Sequence, residues 1–124
     1  MEGYSAKIKE VSVDLSAKQR IQLKDTTTAI KLDSATQEGE LHITPDFHAI
    51  LEIHNDKSDN QDYEVFVLVD KDGSKYVTGS NSFKSAYMDI YNEMKDETEE
   101  WGIRVYRMPS KNYAGRDFLT CSVE

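Results

Sequence analysis

The chain has 124 residues, of which 38% are hydrophobic and 31% are charged, and its formal net charge is -8 at pH 7. This length and composition predict one globular domain that buries its core without a disulfide or a metal, and no stretch resembles a signal peptide or a transmembrane span. We therefore expect a cytoplasmic protein that does not bind membranes and does not bind polyanions indiscriminately.

The N-terminal third of the chain predicts an extension rather than part of a minimal core. Ala6–Val13 alternates as in a β-strand, a capping box at Ser16 opens a short helix, and Ala29–Leu32 indicates a further strand. These segments carry too many apolar and β-branched residues for a disordered arm. We expect a single domain, residues 1–124, in which an extension of residues 1–45 packs on a core of residues 46–124.

The core begins with three predicted strands. Phe47–His54 is a compact apolar run that follows a proline and leads into a turn-rich stretch. Tyr63–Val69 is rich in β-branched and aromatic residues. Asp70–Gly73 supplies a hairpin turn into Lys75–Gly79, so the last two of these strands should pair antiparallel.

The hydrophobic period then changes from two to between three and four, which predicts an amphipathic helix over Ser82–Lys95 with serine and asparagine oxygens at its N-terminus. We expect its apolar stripe to pack on the core through Phe83, Tyr87, Ile90 and Met94.

Two further strands close the predicted core. Gly102–Met108 alternates, with Ile103 and Val105 on one face and Arg104 and Tyr106 on the other. A turn over Asn112–Gly115 leads into Asp117–Val123, where alternation predicts two sets of side chains. Those expected inward are Leu119, Cys121 and Val123, and those expected outward are Phe118 and Thr120.

The element order of residues 46–124 is three strands, one helix and two strands. This is the order of the OB-fold, a five-stranded Greek-key barrel with a helix between strands 3 and 4. We predict a mainly β, α+β protein with an OB-like barrel. Periodicity identifies the elements and not their pairing, and other small α+β folds share such an order.

Charge changes sign abruptly across Trp101. Asp89–Glu100 is strongly acidic, whereas no Asp or Glu occurs from Ile103 to Arg116. Aromatic residues interleave with the cations of the basic stretch, as in a groove that follows a phosphate backbone and stacks bases. The predicted nucleic-acid-binding residues are Arg104, Tyr106, Arg107, Lys111, Tyr113, Arg116 and Phe118. One alternative is a charged, solvated hairpin without a ligand. Another is that Tyr106 and Phe118 cover a second core under the extension.

Metal-binding patterns are weak. The Asp70–Ser74 stretch resembles the opening of a calcium loop, but Asn81 stands where a bidentate Glu is required, so a hairpin turn is the better interpretation. His48 and His54 lie on one strand about 20 Å apart, too far to share a metal ion. Together with His42 they are expected at the surface.

No catalytic pattern is present in the sequence. The single cysteine, Cys121, has no activating histidine or cation identifiable beside it and is expected to be a core thiol. Nucleophile elbows, Walker loops, dinucleotide fingerprints and zinc-finger spacings are absent from the sequence. We therefore predict no enzyme activity, no cofactor and no metal.

Four segments carry a resemblance: Leu23–Asp33 (LKDTTTAIKLD), His54–Asp62 (HNDKSDNQD), Tyr76–Phe83 (YVTGSNSF) and Pro109–Cys121 (PSKNYAGRDFLTC). They resemble a family of small proteins encoded by phages and mobile elements of Gram-positive bacteria, over nearly the whole chain. The resemblance implies single-stranded DNA binding of the OB-fold type in the cytoplasm of the bacterial host. Ordinary bacterial single-strand-binding proteins end in a flexible acidic tail, whereas this sequence stops directly after its last predicted strand. We therefore expect no tail-mediated recruitment of partners.

Two functions remain open from the sequence. The first is a non-enzymatic, sequence-tolerant single-stranded DNA-binding protein of phage replication or recombination, whose partners are single-stranded DNA and phage replication or recombination proteins. The second is an acidic phage-encoded inhibitor that mimics nucleic acid through Asp56–Asp72 and Asp89–Glu100 and binds a host or defence protein. Homo-oligomerisation, the choice between DNA and RNA and the identity of any protein partner are left open.

Overall fold

A computed structural model describes residues 4–25, 27–37, 39–57, 62–109 and 117–124. Strands predominate, and helices are interspersed among them, so the mainly β, α+β class is confirmed. In chain order the elements are β1 (Tyr4–Val11), α1 (Ala17–Lys24), β2 (Ile30–Lys31), α2 (Leu32–Ala35), β3 (Leu41–Ile43), β4 (Pro45–Asn55), β5 (Asp62–Asp70), β6 (Lys75–Thr78), α3 (Asn81–Met94), β7 (Ile103–Pro109) and β8 (Asp117–Val123).

The strands form two sheets. One has five strands in the order β1-β4-β5-β6-β2, and the other has three in the order β3-β7-β8. The chain divides accordingly into two compact units, each made of two separate stretches. The first unit holds residues 1–30 and 46–79, and the second holds residues 31–45 and 80–124. Both units therefore take strands from the predicted extension as well as from the predicted core.

The predicted Greek-key barrel is not confirmed, because the described strands divide between two sheets and close no barrel. β4, β5 and β6 belong to the five-stranded sheet, whereas β7 and β8 belong to the three-stranded one. The physical reason lies in the extension. β1 pairs along β4 and β3 pairs with β7, so strands from residues 1–45 occupy edges that barrel closure would need.

The first unit buries one face of its sheet against α1. Leu23 of α1 packs with the inward residues of β4, β5 and β6, which are Ala49, Leu51, Ile53, Val67 and Val77. The predicted capping box is present, since the Ser16 hydroxyl accepts from the Gln19 amide at 3.2 Å and the Gln19 side chain accepts from the Ser16 amide at 2.9 Å. Lys75 donates to the carbonyls of Gln22 and Asp25 at the other end of α1, which fixes the helix on the sheet.

The predicted turn between β5 and β6 is confirmed. The Gly73 amide donates to the Asp70 carbonyl at 2.9 Å, and the Asp70 amide donates to the Ser74 carbonyl at 2.8 Å. Gly73 has a φ of 93°, a conformation that a residue with a Cβ rarely adopts, so glycine is required there. β5 and β6 pair antiparallel, as expected.

His48 is buried, which corrects the expectation that all three histidines lie at the surface. Only 6% of its surface is exposed, and its ring stacks on Phe66 with the ring centroids 5.6 Å apart. Strand alternation places it opposite the α1 side of β4, on the same face as Ile50, which is buried too. Burial lowers the pKa of His48 to about 4, so the ring is neutral at pH 7.

The second unit packs α3 on one face of the three-stranded sheet. Phe83 and Tyr87 are fully buried, and Ser80 caps the helix by accepting from the Phe83 amide at 3.1 Å. The Ser82 hydroxyl donates to the Leu119 carbonyl of β8 at 2.7 Å. The predicted helix is confirmed within one residue at each end, but Ile90 and Met94 are only half-buried.

Candidate nucleic-acid interface

The three-stranded sheet has one buried face and one exposed face. The buried face carries Ile103, Val105, Leu119 and Cys121, as alternation predicts. Val123 was expected among them but is 50% exposed, because it lies at the last position of β8. The other face is the candidate site, and we call it the outer face. It comprises His42 on β3, Arg104, Tyr106 and Met108 on β7, and Phe118, Thr120 and Ser122 on β8.

The register of β7 and β8 brings the predicted stacking residues together. Tyr106 pairs with Thr120, and Met108 pairs with Phe118. Because paired residues on antiparallel strands share a face, Tyr106 and Phe118 are diagonal neighbours. The expectation that Arg104 and Tyr106 share a face with Phe118 and Thr120 is confirmed.

Arg104 and Tyr106 form the polar half of the outer face. The Arg104 guanidinium carbon lies 4.7 Å from the centroid of the Tyr106 ring, a cation–π contact. The Tyr106 hydroxyl lies 2.6 Å from the Ser122 hydroxyl, which ties the far end of the ring to β8. The ring is therefore fixed through its hydroxyl, and the guanidinium covers one of its faces.

Phe118 and Met108 form the apolar half. They are 38% and 43% exposed, and each faces the other across the two strands. An exposed aromatic ring beside a polarizable methionine offers a surface on which a base can stack. Sequence analysis missed Met108, although the alternation that places Arg104 and Tyr106 outward places Met108 outward as well.

Arg107 does not belong to the outer face. It lies on the same side of β7 as Val105, where its Nε donates to the Thr36 hydroxyl at 3.1 Å. Its guanidinium also donates to the Asp33 carbonyl. Thr36 in turn donates to the Leu32 carbonyl at 2.8 Å. Arg107 therefore closes the end of α2 and holds it against the sheet, instead of contributing to the predicted groove.

The remaining predicted residues, Lys111, Tyr113 and Arg116, lie outside the described residues. They belong to the segment that joins Pro109 of β7 to Asp117 of β8, and these two residues pair with each other. In the sequence the segment therefore begins and ends beside Met108 and Phe118. The predicted turn over Asn112–Gly115 lies in the same stretch.

Carboxylates border the outer face. Glu40 lies 3.7 Å from the Nε of Arg104, and Glu124 contacts the Nδ1 of His42. His42 is also the residue of β3 that pairs with Arg104. A phosphate that approaches Arg104 therefore competes with Glu40. The outer face carries charges of both signs and is not uniformly basic.

Cys121 is buried, which confirms it as a core residue. Its burial raises the pKa of the thiol to about 12. The part of the chain that the structure describes contains no group of three ligating side chains placed to hold a metal ion. None of the described helices has both the length and the apolar character needed to cross a membrane.

Comparison of the chain with protein-family models, with curated proteins and with solved structures found no match. The resemblance to phage single-stranded DNA-binding proteins therefore stays a prediction.

Proposed function

We propose that this protein is a non-enzymatic, sequence-tolerant single-stranded DNA-binding protein of phage replication or recombination, and that the outer face is its binding surface. The observation that supports the proposal most strongly is the exposure of Phe118 and Met108 beside the Arg104–Tyr106 pair. Both apolar side chains remain more than a third exposed although they pair with each other across β7 and β8. An exposed ring next to a cation on an open sheet face offers a stacking surface for a base.

The two halves of the face have different roles in this proposal. A base stacks on Phe118, because the Tyr106 ring is already covered on one side by the Arg104 guanidinium. Arg104, held flat by Tyr106, contacts a phosphate or lies under a second base. Each stacked base contributes about 1 to 3 kcal/mol, more than an exposed ion pair contributes.

The net charge of -8 sets the conditions for binding. At long range the protein repels a phosphate backbone, so the affinity must come from short-range stacking and from the few cations near the face. Lys111 and Arg116, in the segment between β7 and β8, are the cations closest to Phe118 along the sequence. We therefore expect a shallower salt dependence than that of a basic DNA-binding protein.

The element order supports the same hairpin. In OB-folds oligonucleotides bind to the face of strands 2 and 3 and to the loops that join strands 1 and 2 and strands 4 and 5. The β7–β8 hairpin holds the corresponding place in the chain order. An OB-like order of elements in residues 46–124 is part of the proposal. The binding mode itself requires only the outer face and the β7–β8 hairpin.

The proposal is tested by titrating a fluorescent single-stranded oligonucleotide of about 16 nucleotides with the wild-type protein and with Phe118→Ala. Ile21→Ala is a matched control, since Ile21 is an exposed apolar residue on α1 and belongs to the other compact unit. We expect Phe118→Ala to weaken binding and Ile21→Ala to leave it unchanged. Equal affinities for all three proteins would exclude the outer face as the binding surface.

A second function is favoured by a different surface. Acidic residues from Asp89 to Glu100 are exposed, and they adjoin the half-buried rings of Tyr91 and Trp101. Both rings contact buried Tyr87, with centroids 6.2 Å and 6.3 Å from its own. Aromatic anchors with an acidic rim suit a partner that presents the basic groove of a nucleic-acid-binding protein.

The other acidic stretch, Asp56–Asp72, is less suited to mimicry. Asp56 and Asp62 bond to His54, Asp70 is buried, and Asp72 accepts from the Ser74 amide at 2.8 Å. The inhibitor alternative therefore rests on Asp89–Glu100. Trp101 is the single tryptophan, so its fluorescence should change on addition of an arginine-rich peptide if this alternative is right. An unchanged spectrum at low salt would count against it.

A further inference from the structure

His54, near the end of β4, bonds to a carboxylate through each of its ring nitrogens. Its Nδ1 lies 2.8 Å from Asp62, and its Nε2 lies 2.6 Å from Asp56. Asp56 directly follows β4, and Asp62 is the first residue of β5. One imidazole therefore links the two ends of the connection between neighbouring strands.

This arrangement depends on the protonation of the ring. A neutral imidazole has one donor and one acceptor nitrogen, whereas an imidazolium donates from both. An ionised carboxylate only accepts. Both contacts of His54 can therefore be hydrogen bonds only when the ring is protonated. When the proton leaves, a lone pair faces a carboxylate oxygen and one contact must open.

We propose that His54 is a proton-operated clasp between the end of β4 and the start of β5, closed on Asp56 and Asp62 when the ring is protonated and released from one of them when it is neutral. The hydrogen bonds to Asp62 and then to Asp56 raise the pKa of His54 above its ordinary value. The side chain is 41% exposed, so solvent protons reach it.

The neighbouring charges favour the closed state. Lys7 of β1, Glu52 on the same strand as His54 and Glu64 of β5 line the same groove as His54, and Lys57 lies in the turn that follows β4. Lys9 and Glu64 form an ion pair at 2.6 Å, so they largely neutralise each other. The carboxylates of Asp56 and Asp62 then remain the charges closest to the ring, and they stabilise the imidazolium.

Opening the clasp would alter a groove as well as the connection. His54 and Asp62 line a groove of about 560 Å³ together with Ser5, Lys7, Glu52 and Glu64. Loss of the His54 proton makes this groove more negative by one charge and separates one of the two carboxylates from the ring. Because the pKa of His54 is raised above the ordinary histidine value of 6.5, the ring loses its proton only as the pH rises above that value.

The first test is an NMR titration of the His54 ring in the wild type, Asp56→Asn and Asp62→Asn. The wild-type midpoint should lie above 6.5, the ordinary histidine value. Each substitution should lower it, because an amide cannot stabilise the imidazolium as a carboxylate does. The ring of His42, whose carboxylate partner is Glu124, serves as the internal control. A His54 midpoint at or below 6.5, or one insensitive to both substitutions, would overturn the proposal.

The second test measures whether the clasp orders the connection. Amide exchange at Lys57 and Asp62, corrected for intrinsic base catalysis, is compared between about pH 5.5 and about pH 8 in the wild type and His54→Gln. We expect protection to fall several-fold with rising pH in the wild type and to stay constant in the variant. Val67, buried in β5, reports whether the variant is folded. If Val67 is unprotected in His54→Gln, the comparison is made with Asp56→Asn, which should also show no pH dependence. The same pH-dependent loss in the wild type and in the folded variant would refute the clasp.

Discussion

The guanidinium of Arg104 lies over the ring of Tyr106, 4.7 Å from its centroid, on the exposed side of the β3-β7-β8 sheet. The contact covers one face of Tyr106, one of the three rings that the sequence predicts to stack on bases. Among the described rings of the outer face it leaves Phe118, two positions along the hairpin, available to a base. The pair therefore divides the outer face into a cationic half supported by Tyr106 and an apolar half centred on Phe118.

Phe118→Ala should weaken single-stranded oligonucleotide binding by about 1 to 3 kcal/mol, the contribution of one stacked base. The dependence of affinity on salt should stay the same, because stacking releases few counterions. Tyr106→Ala should weaken binding less, since this ring supports Arg104 instead of stacking a base directly. Fluorescence anisotropy at two salt concentrations measures both quantities. A larger loss for Tyr106→Ala than for Phe118→Ala would reverse the assigned roles.

Glu40→Gln should strengthen oligonucleotide binding by about twofold to fivefold, the range expected for one exposed ion pair, because Glu40 competes with phosphate for Arg104. Glu93→Gln removes the same charge from α3, which packs on the opposite face of the sheet, and should give a smaller gain. The gain from Glu40→Gln should disappear in an Arg104→Gln background. If the gain persists in the Arg104→Gln background, it comes from the change in net charge, and Glu40 does not compete with phosphate for Arg104.

Buried His48 should make the protein acid-sensitive. Its folded pKa of about 4 lies below the ordinary value of 6.5, so the native state excludes a proton that the unfolded chain binds. The contribution of neutral His48 to the free energy of unfolding is fully present above pH 6.5. It is lost as the pH falls toward 4, and the total loss is about 3 kcal/mol. His48→Phe keeps a ring beside Phe66 and cannot take up a proton. Urea unfolding near pH 4 and near pH 6.5 measures the free energy of unfolding of the wild type and of the variant. The difference between the two proteins should change by this amount between the two pH values. A constant difference would show that His48 titrates normally.

Alanine substitutions along the apolar stripe of α3 should lower the stability of the protein by unequal amounts. Phe83→Ala should destabilise the protein by about 3 to 5 kcal/mol, because the ring is fully buried and its removal leaves a cavity. Ile90 is half-buried, so Ile90→Ala should cost about 1 kcal/mol, less than the full burial expected from sequence would imply. Chemical denaturation of both variants checks the order. A greater loss for Ile90→Ala would mean that the helix is rotated from the position described.

Local signals in the sequence were sufficient to predict most of the helices, strands and turns. The capping box at Ser16, the turn at Gly73 and the spacing from Phe83 to Tyr87 each depend on contacts within a few residues, and all are present in the structure. Strand alternation also predicted the two faces of β7 and β8. The predicted barrel was not confirmed because pairing is non-local. Nothing within Ala6–Val13 indicates that it pairs with β4.

The misplaced side chains have physical explanations. Arg107 has the same alternation parity as Ile103 and Val105, so the period of two predicts it inward, and its charge suggested the opposite. The structure accommodates it inward because Thr36 and the Asp33 carbonyl accept its donors. His48 was expected outside because it is polar. Whether the second face of a strand is buried depends on distant segments, which the pattern of one strand does not reveal.

The most direct test of the proposed function is a titration of a labelled single-stranded oligonucleotide with the wild type and with Lys111→Glu/Arg116→Glu, at low and at moderate salt. The account predicts saturable wild-type binding that weakens moderately with salt. It also predicts that the double charge reversal binds much more weakly and with a flatter salt dependence. Absence of wild-type binding at low salt would contradict the account and favour the acidic inhibitor.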